Sequence, residues 1–353
     1  MLYRQKNPHG GDTYEKNIRL DFSANVNPLG TPGSVLRAVT DSLSELSKYP
    51  DPYCRGLVRA IAKYEGVDEK NILCGLGAAE LIYAFCAAAR PKRVLEAAPG
   101  FLEYSAALGT VGAEITRHIL TKDNDFTLTD EFLRVIERGS FDAVFLCTPN
   151  NPTGRLIPPD LLEEISLLCH KRGIRLVLDE CFLDLADGGL ALSMKSRLNA
   201  RRGLLLLRSF TKSYGIAGLR LGYCLSADDE LLDGMSRVSQ PWNIPSPTQS
   251  AGIAALRETE FIRRTRELIA VEREYLVKEL LSLGFYVCPP SANYILFRGG
   301  PRLCSELEKR GIQVRDCENY HGLGAGWVRV AVRLHDENTE LVSAIRDIKT
   351  TGV

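Results

Sequence analysis

The stretch Ser209-Phe210-Thr211-Lys212-Ser213-Tyr214-Gly215-Ile216-Ala217-Gly218-Leu219-Arg220-Leu221-Gly222-Tyr223 is the centre of this chain. Just before it stands the apolar run Leu204-Leu205-Leu206-Leu207, whose length and continuity predict a buried strand. That strand delivers one lysine into a run of hydroxyls and glycines, with an arginine eight residues later. Small neighbours let another group approach the backbone, and a partly desolvated ammonium gives up its proton more readily. Lys212 is therefore a candidate nucleophilic amine. Arg220 offers an always-charged planar fork suited to a phosphate. Two other readings compete. A lysine after a strand is commonly a solvated side chain, and Ser209 to Lys212 also spells S-x-x-K, a signature of serine hydrolases. That signature needs S-D-N and K-T-G partners, and neither string occurs here.

Outward from this centre, strands keep alternating with helices, which predicts an α/β fold. Upstream, Ile174-Arg175-Leu176-Val177-Leu178-Asp179 is an apolar strand ending in a carboxylate, which is costly to bury alone and implies a cationic partner. A strand over 142–147 opens into Thr148-Pro149-Asn150-Asn151-Pro152-Thr153-Gly154, where the Asn151 amide can donate to a phenolate oxygen. A strand over 93–97 ends at Pro99-Gly100-Phe101, and an aromatic there could pack flat on a heteroaromatic ring. The strand 71–74 runs into Gly75-Leu76-Gly77-Ala78-Ala79-Glu80 and then a helix. Gly77, Ala78 and Ala79 are the expected backbone donors to a phosphate, although the motif lacks the third glycine of a dinucleotide fingerprint. Further helices are expected over 35–46, 55–65, 130–137, 159–172 and 228–239, with a long charged one over 258–283. Strands near 285–288, 294–297, 313–315 and 327–332, with helices at 302–310 and 338–348, read as a smaller α/β unit. Residues 1–33 read as an arm without a helix or a regular strand.

Composition narrows the function classes. The chain has 353 residues, long enough for about two domains, and 44 basic against 44 acidic residues, so formal net charge is zero. No overall charge points to nucleic acid or to an anionic membrane. No apolar run approaches the roughly 20 residues needed to cross a bilayer, and residues 1–11 lack the apolar segment of a signal peptide, so a cytoplasmic location is expected. The ten cysteines form no C-x-x-C pair and the five histidines no cluster, so reduced core cysteines and no metal site are expected.

Together these motifs resemble fold type I enzymes dependent on pyridoxal phosphate, in the branch that holds histidinol-phosphate aminotransferase and threonine-phosphate decarboxylase. The resemblance runs from His9 to about Asn338. It implies a large domain over 34–257 with a mostly parallel central sheet, a smaller α/β domain built from 1–33 and 258–353, and a homodimer. It further implies that Lys212 joins the cofactor's aldehyde carbon and that Asp179 pairs with its ring nitrogen. By the same resemblance Asn151 contacts the ring oxygen, Phe101 stacks on the ring, and Ser209, Thr211 and Arg220 hold the phosphate. Tyr49, in Lys48-Tyr49-Pro50, would reach the phosphate of the neighbouring subunit. Arg329 is expected to grip the substrate's α-carboxylate, with Arg315, His9, Asn27 and Gly30 in the substrate pocket. Asp12 and Leu76 depart from the decarboxylase pattern, which has asparagine at both. Phe182, Gln240-Pro241-Trp242 and Arg333 lean toward that branch, and so toward decarboxylation of L-threonine O-3-phosphate to aminopropanol phosphate in cobalamin assembly. The alternative is an aminotransferase of the histidinol-phosphate type, acting on a phosphorylated or aromatic amine.

Overall fold

In a computed structural model, which describes residues 7–350, the strand Leu204–Ser209 is buried at every position inside a seven-stranded sheet. From edge to edge the order is Ile72–Gly75, Gly222–Leu225, Leu204–Ser209, Arg175–Asp179, Ala143–Cys147, Arg93–Ala98 and Glu114–Ile119. Only Gly222–Leu225 runs against its neighbours. Strands covered on both faces carry near-continuous apolar runs, which is why Leu204 to Leu207 shows no alternation in sequence. The alternation is in space. Leu204 and Leu206 enter one apolar cluster, while Leu205 and Leu207 enter the cluster on the opposite face.

The parallel strands Arg93–Ala98, Ala143–Cys147, Arg175–Asp179 and Leu204–Ser209 all end on one edge, with Cys147 opposite Asp179 and Asp179 opposite Leu207. In open α/β sheets this carboxyl edge is where ligands collect, because the turns leaving it can converge. The turns singled out in the sequence therefore meet in space.

A second sheet of four antiparallel strands has the order Arg315–Asp316, Trp327–Ala331, Tyr294–Arg298, Tyr286–Val287. The helices Thr259–Ser282 and His335–Thr350 contribute Leu276, Leu280, Leu341 and Ile345 to its core. The arm joins this core too. Leu20 and Phe22 pack there, and Leu20–Asp21 pairs in parallel with Ile312–Gln313. Two expectations are corrected here. The arm does contain a short strand, and residues 313–315 are not one strand. The chain changes sheets at Val314, pairing Ile312–Gln313 with the arm and Arg315–Asp316 with Trp327–Ala331. The strand in the arm, and with it the break at Val314, depends on the pairing of Leu20–Asp21 with Ile312–Gln313, segments far apart in the chain, which local patterning does not reveal. The helix expected over 35–46 is Gly33–Ser42 followed by a 3-10 turn, Leu43–Glu45, and a helix at Ser246–Ala255 was not expected at all. All ten cysteines are unpaired. Among the described residues no helix is long and apolar enough to cross a membrane, and no group of His, Cys, Asp or Glu is placed to hold a metal.

Candidate active site

At the end of Leu204–Ser209 the chain turns into the one-turn helix Phe210–Ser213. Ser209 starts it: its Oγ accepts from the Thr211 backbone N–H at 3.2 Å and lies 2.6 Å from Thr211 Oγ1. The arm clamps this turn from behind. The Asn27 backbone N–H donates to the Lys212 carbonyl at 3.0 Å, and Asn27 Nδ2 donates to the Ser213 carbonyl at 2.7 Å and to Thr265 Oγ1 at 3.0 Å. Thr31 Oγ1 donates to the Gly215 carbonyl at 2.8 Å. Gly215 has φ of 64°, and a Cβ there would stand 2.4 Å from the Gly30 carbonyl oxygen, so only glycine lets the two segments touch.

Lys212 opens into a cavity of about 330 Å³ at the carboxyl edge of the sheet. Burial, then the charges of Arg329 and Arg220, push its amine down to about 8. Asp179, 5% exposed, is held by two donors: Tyr104 Oη at 2.6 Å and the Cys181 backbone N–H at 2.9 Å. Burial and the Asp179 charge drive the Tyr104 phenol well above its ordinary value, so Tyr104 remains a donor. Arg329 and Arg315 sit directly opposite each other on paired strands, both buried. Arg329 Nη1 donates to Asn151 Oδ1 at 2.5 Å and Nη2 to the Ser23 carbonyl at 2.9 Å, while its buried Nε has no partner. Gly77 opens the helix Gly77–Ala89, and a Cβ on it would lie 2.9 Å from Arg220 Nη2. The guanidinium thus stands over free backbone N–H groups at a helix start.

His9, Gly77, Ala78, Ala79, Phe101, Asn151, Asp179, Ser209, Thr211, Lys212, Arg220, Arg315 and Arg329 all line this cavity. Asn27, Gly30 and Tyr49 do not. Asn27 and Gly30 lie behind the lysine turn, with the Asn27 amide engaged there, and Tyr49 is 80% exposed with its ring 4.8 Å from that of Trp242. Of the residues leaning toward a decarboxylase, only Phe182 faces the cavity. Trp242 is near the surface and Arg333 pairs with Glu337. Sequence reasoning missed Tyr104, Glu103, Tyr320, Ser23 and Ala24. The signal for Tyr104 was its place three residues beyond Phe101 in the same helical start.

The cavity's cations, Lys212, Arg220, Arg315 and Arg329, have no ion pair with a carboxylate among the described residues. Together with the unpartnered Arg329 Nε, they form a site completed by anionic ligands. The backbone donors and hydroxyls fit a phosphate, and Asp179 in its donor cage fits a protonated ring nitrogen.

The family model for aminotransferase class I and II matches residues 17–345. A threonine-phosphate decarboxylase of Salmonella typhimurium is 37% identical over 94% of this chain and 91% of its own. Histidinol-phosphate aminotransferase 1 of Cupriavidus pinatubonensis is 32% identical over 92% of this chain and 86% of its own. Among solved structures, histidinol-phosphate aminotransferase from Clostridium acetobutylicum superposes with a TM-score of 0.88 at 28% identity, over 94% of this chain and 99% of that one. With a match that spans both sheets and the arm's pairing strand, this chain belongs to the aminotransferase class I and II family, enzymes that depend on pyridoxal phosphate.

Proposed function

We propose that this enzyme decarboxylates L-threonine O-3-phosphate to aminopropanol phosphate, a step in cobalamin assembly. The observation that carries the reading is the excess of positive charge in the cavity, where Lys212, Arg220, Arg315 and Arg329 outnumber the carboxylates Asp179 and Glu103. A cofactor phosphate, a substrate carboxylate and a substrate phosphate are the anions that such a set of cations takes up together. Similarity to a threonine-phosphate decarboxylase over nearly the whole chain supports it.

On this reading the chain's residues divide the work. Gly77, Ala78, Ala79, Ser209, Thr211 and Arg220 hold the cofactor phosphate, Asn151 its ring oxygen, and Phe101 stacks on its ring. When bound, the protonated cofactor ring draws electrons from the substrate's α-carbon. Asp179 keeps that ring protonated, and Tyr104 and Cys181 hold its carboxylate in place. Lys212, with an amine poised near 8, anchors the cofactor and then moves a proton to the α-carbon. Arg329 grips the carboxylate, and Arg315 and His9 receive the phosphate end. Which substrate bond breaks would be decided by how Arg329 orients the carboxylate: one orientation would select carbon dioxide loss, the other loss of the α-proton. The enzyme works in the cytoplasm as a homodimer to which each subunit lends Tyr49, with a large domain over 34–257 and a small one from 1–33 and 258–353.

The second reading, transamination of histidinol phosphate or a related amine, is supported by the relatives of that name and by the few decarboxylase-leaning residues that face the cavity. Incubation with L-threonine O-3-phosphate separates them. Carbon dioxide released in step with aminopropanol phosphate is the expected outcome. A keto acid formed only when an amino acceptor is added would reverse the choice.

A further inference from the structure

Besides Asp179, the cavity is lined by one more described carboxylate, Glu103, in the first turn of the helix Leu102–Thr110. A carboxylate among cations that await anions weakens the site unless its charge is engaged elsewhere. Here it is engaged. Glu103 Oε1 lies 2.5 Å from His9 Nε2, with side-chain exposures of 19% and 31%, and Tyr83 Oη donates to Glu103 Oε2 at 3.1 Å. The bond to His9 holds the Glu103 carboxyl below the usual carboxylate range against the opposing effect of burial, with Tyr83 adding to it.

His9 is fixed from its other side as well. The Pro8 carbonyl accepts from Arg315 Nη2 and, at 3.1 Å, from Asn319 Nδ2. The imidazole lies 5.7 Å from the Phe101 ring, and a Cβ on Gly10 would meet the Ser23 carbonyl at 2.4 Å, so only glycine lets the arm pass Ser23 this closely. Glu103 on its helix contacts the His9 ring directly, Tyr83 on Gly77–Ala89 reaches it through Glu103, Arg315 on the second sheet holds the neighbouring Pro8 carbonyl, and Lys212, Arg220, Arg329 and Asp179 line the same cavity.

The two states of His9 differ in what they offer a ligand. Neutral, with Nε2–H turned to Glu103, the ring keeps a lone pair on Nδ1 that repels an anion. Protonated, it presents a charged Nδ1–H. We propose that Glu103 is a positioning residue for substrate specificity: by holding His9 oriented and protonated, it lets His9 serve as a cationic donor to the phosphate end of the substrate. The proposal rests on the phosphorylated-substrate reading above.

Glu103→Gln removes the charge while keeping the shape and the Tyr83 contact. In the holoenzyme, NMR titration of the His9 ring, assigned with His9→Asn, is expected to fall by about one pH unit in E103Q. Inorganic phosphate is expected to raise it in the unsubstituted enzyme and much less in E103Q. The KM for L-threonine O-3-phosphate near pH 8 should rise about tenfold, with kcat changed by less than about threefold, and the pH at which KM climbs should move down with the His9 titration. Glu103→Asp, which keeps the charge, should restore part of both effects. Identical His9 titrations in the two proteins, or a shifted titration with an unmoved KM, would overturn the proposal. If the unsubstituted enzyme does not turn over L-threonine O-3-phosphate, the functional reading fails separately. The phosphate-dependent titration then still decides the pair: present and lost in E103Q it stands, absent from both it falls.

Discussion

Lys212 has Arg329 and Arg220 as its strongest charged neighbours, and after burial both favour the uncharged amine. Below about 8 the group is an ammonium and cannot attack; above it the amine is free. Capture of pyridoxal phosphate by the apoenzyme, followed by absorbance, should therefore quicken as pH rises through about 8 and level off beyond. Arg329→Ala removes one of the charges that depress the amine, so the midpoint should move up. The same substitution should weaken substrate by about 3 kcal/mol, the scale of losing one partner of a buried hydrogen-bonded charge pair, and weaken cofactor much less. Equal losses would make Arg329 a structural residue. At this scale the sequence was legible where chemistry and position coincide: Asp179 ends its strand, and Asn151 and Lys212 lie in the turns that leave the neighbouring strands Ala143–Cys147 and Leu204–Ser209. Asn27 and Gly30 lie behind the lysine turn and do not line the cavity; residue type in an extended arm does not say which side faces it. Tyr104 was hidden because one tyrosine in a helix looks alike whether it packs in a core or donates to Asp179.

The strand–turn units explain why so much of the site was readable and where reading stopped. Continuous apolar runs ending in Gly, Asn, Pro or Ser mark buried parallel strands and their exits. The helix Ser246–Ala255 escaped notice because its buried face is Thr248, Gln249, Ala251, Gly252 and Ala255, small and polar residues with no apolar stripe. The docking of the arm on the lysine turn was equally silent in sequence, since the Asn27 backbone and side chain and the Thr31 hydroxyl all meet backbone carbonyls of the turn, and Gly30 meets Gly215 backbone to backbone. Gly215→Ala tests it. The added Cβ meets backbone at 2.4 Å with φ at 64°, whereas at Gly218 it meets nothing within 4 Å. Thermal unfolding should show G215A destabilised by about 2 kcal/mol or more and G218A close to unchanged. If the two melt alike, the arm does not bear on the turn.

At the level of the whole molecule, zero formal charge leaves local cation placement, not a global field, to gather the anions. The exposed pair Tyr49 and Trp242 lies outside its own chain's cavity, which suits a residue lent to a partner. Tyr49→Ala and Lys212→Ala enzymes, each impaired alone, should recover roughly a quarter of full activity when mixed and re-paired at random, because one site in four is then intact. No recovery, with mixed dimers shown to form, would place both residues in one subunit's site. Lys212 is the one side chain expected to carry the cofactor covalently. Borohydride reduction of the holoenzyme followed by peptide mass spectrometry should find the cofactor's mass on the peptide holding Lys212 and nowhere else. An unmodified Lys212 in reduced enzyme that has bound the cofactor, or the mass on another lysine, would contradict it.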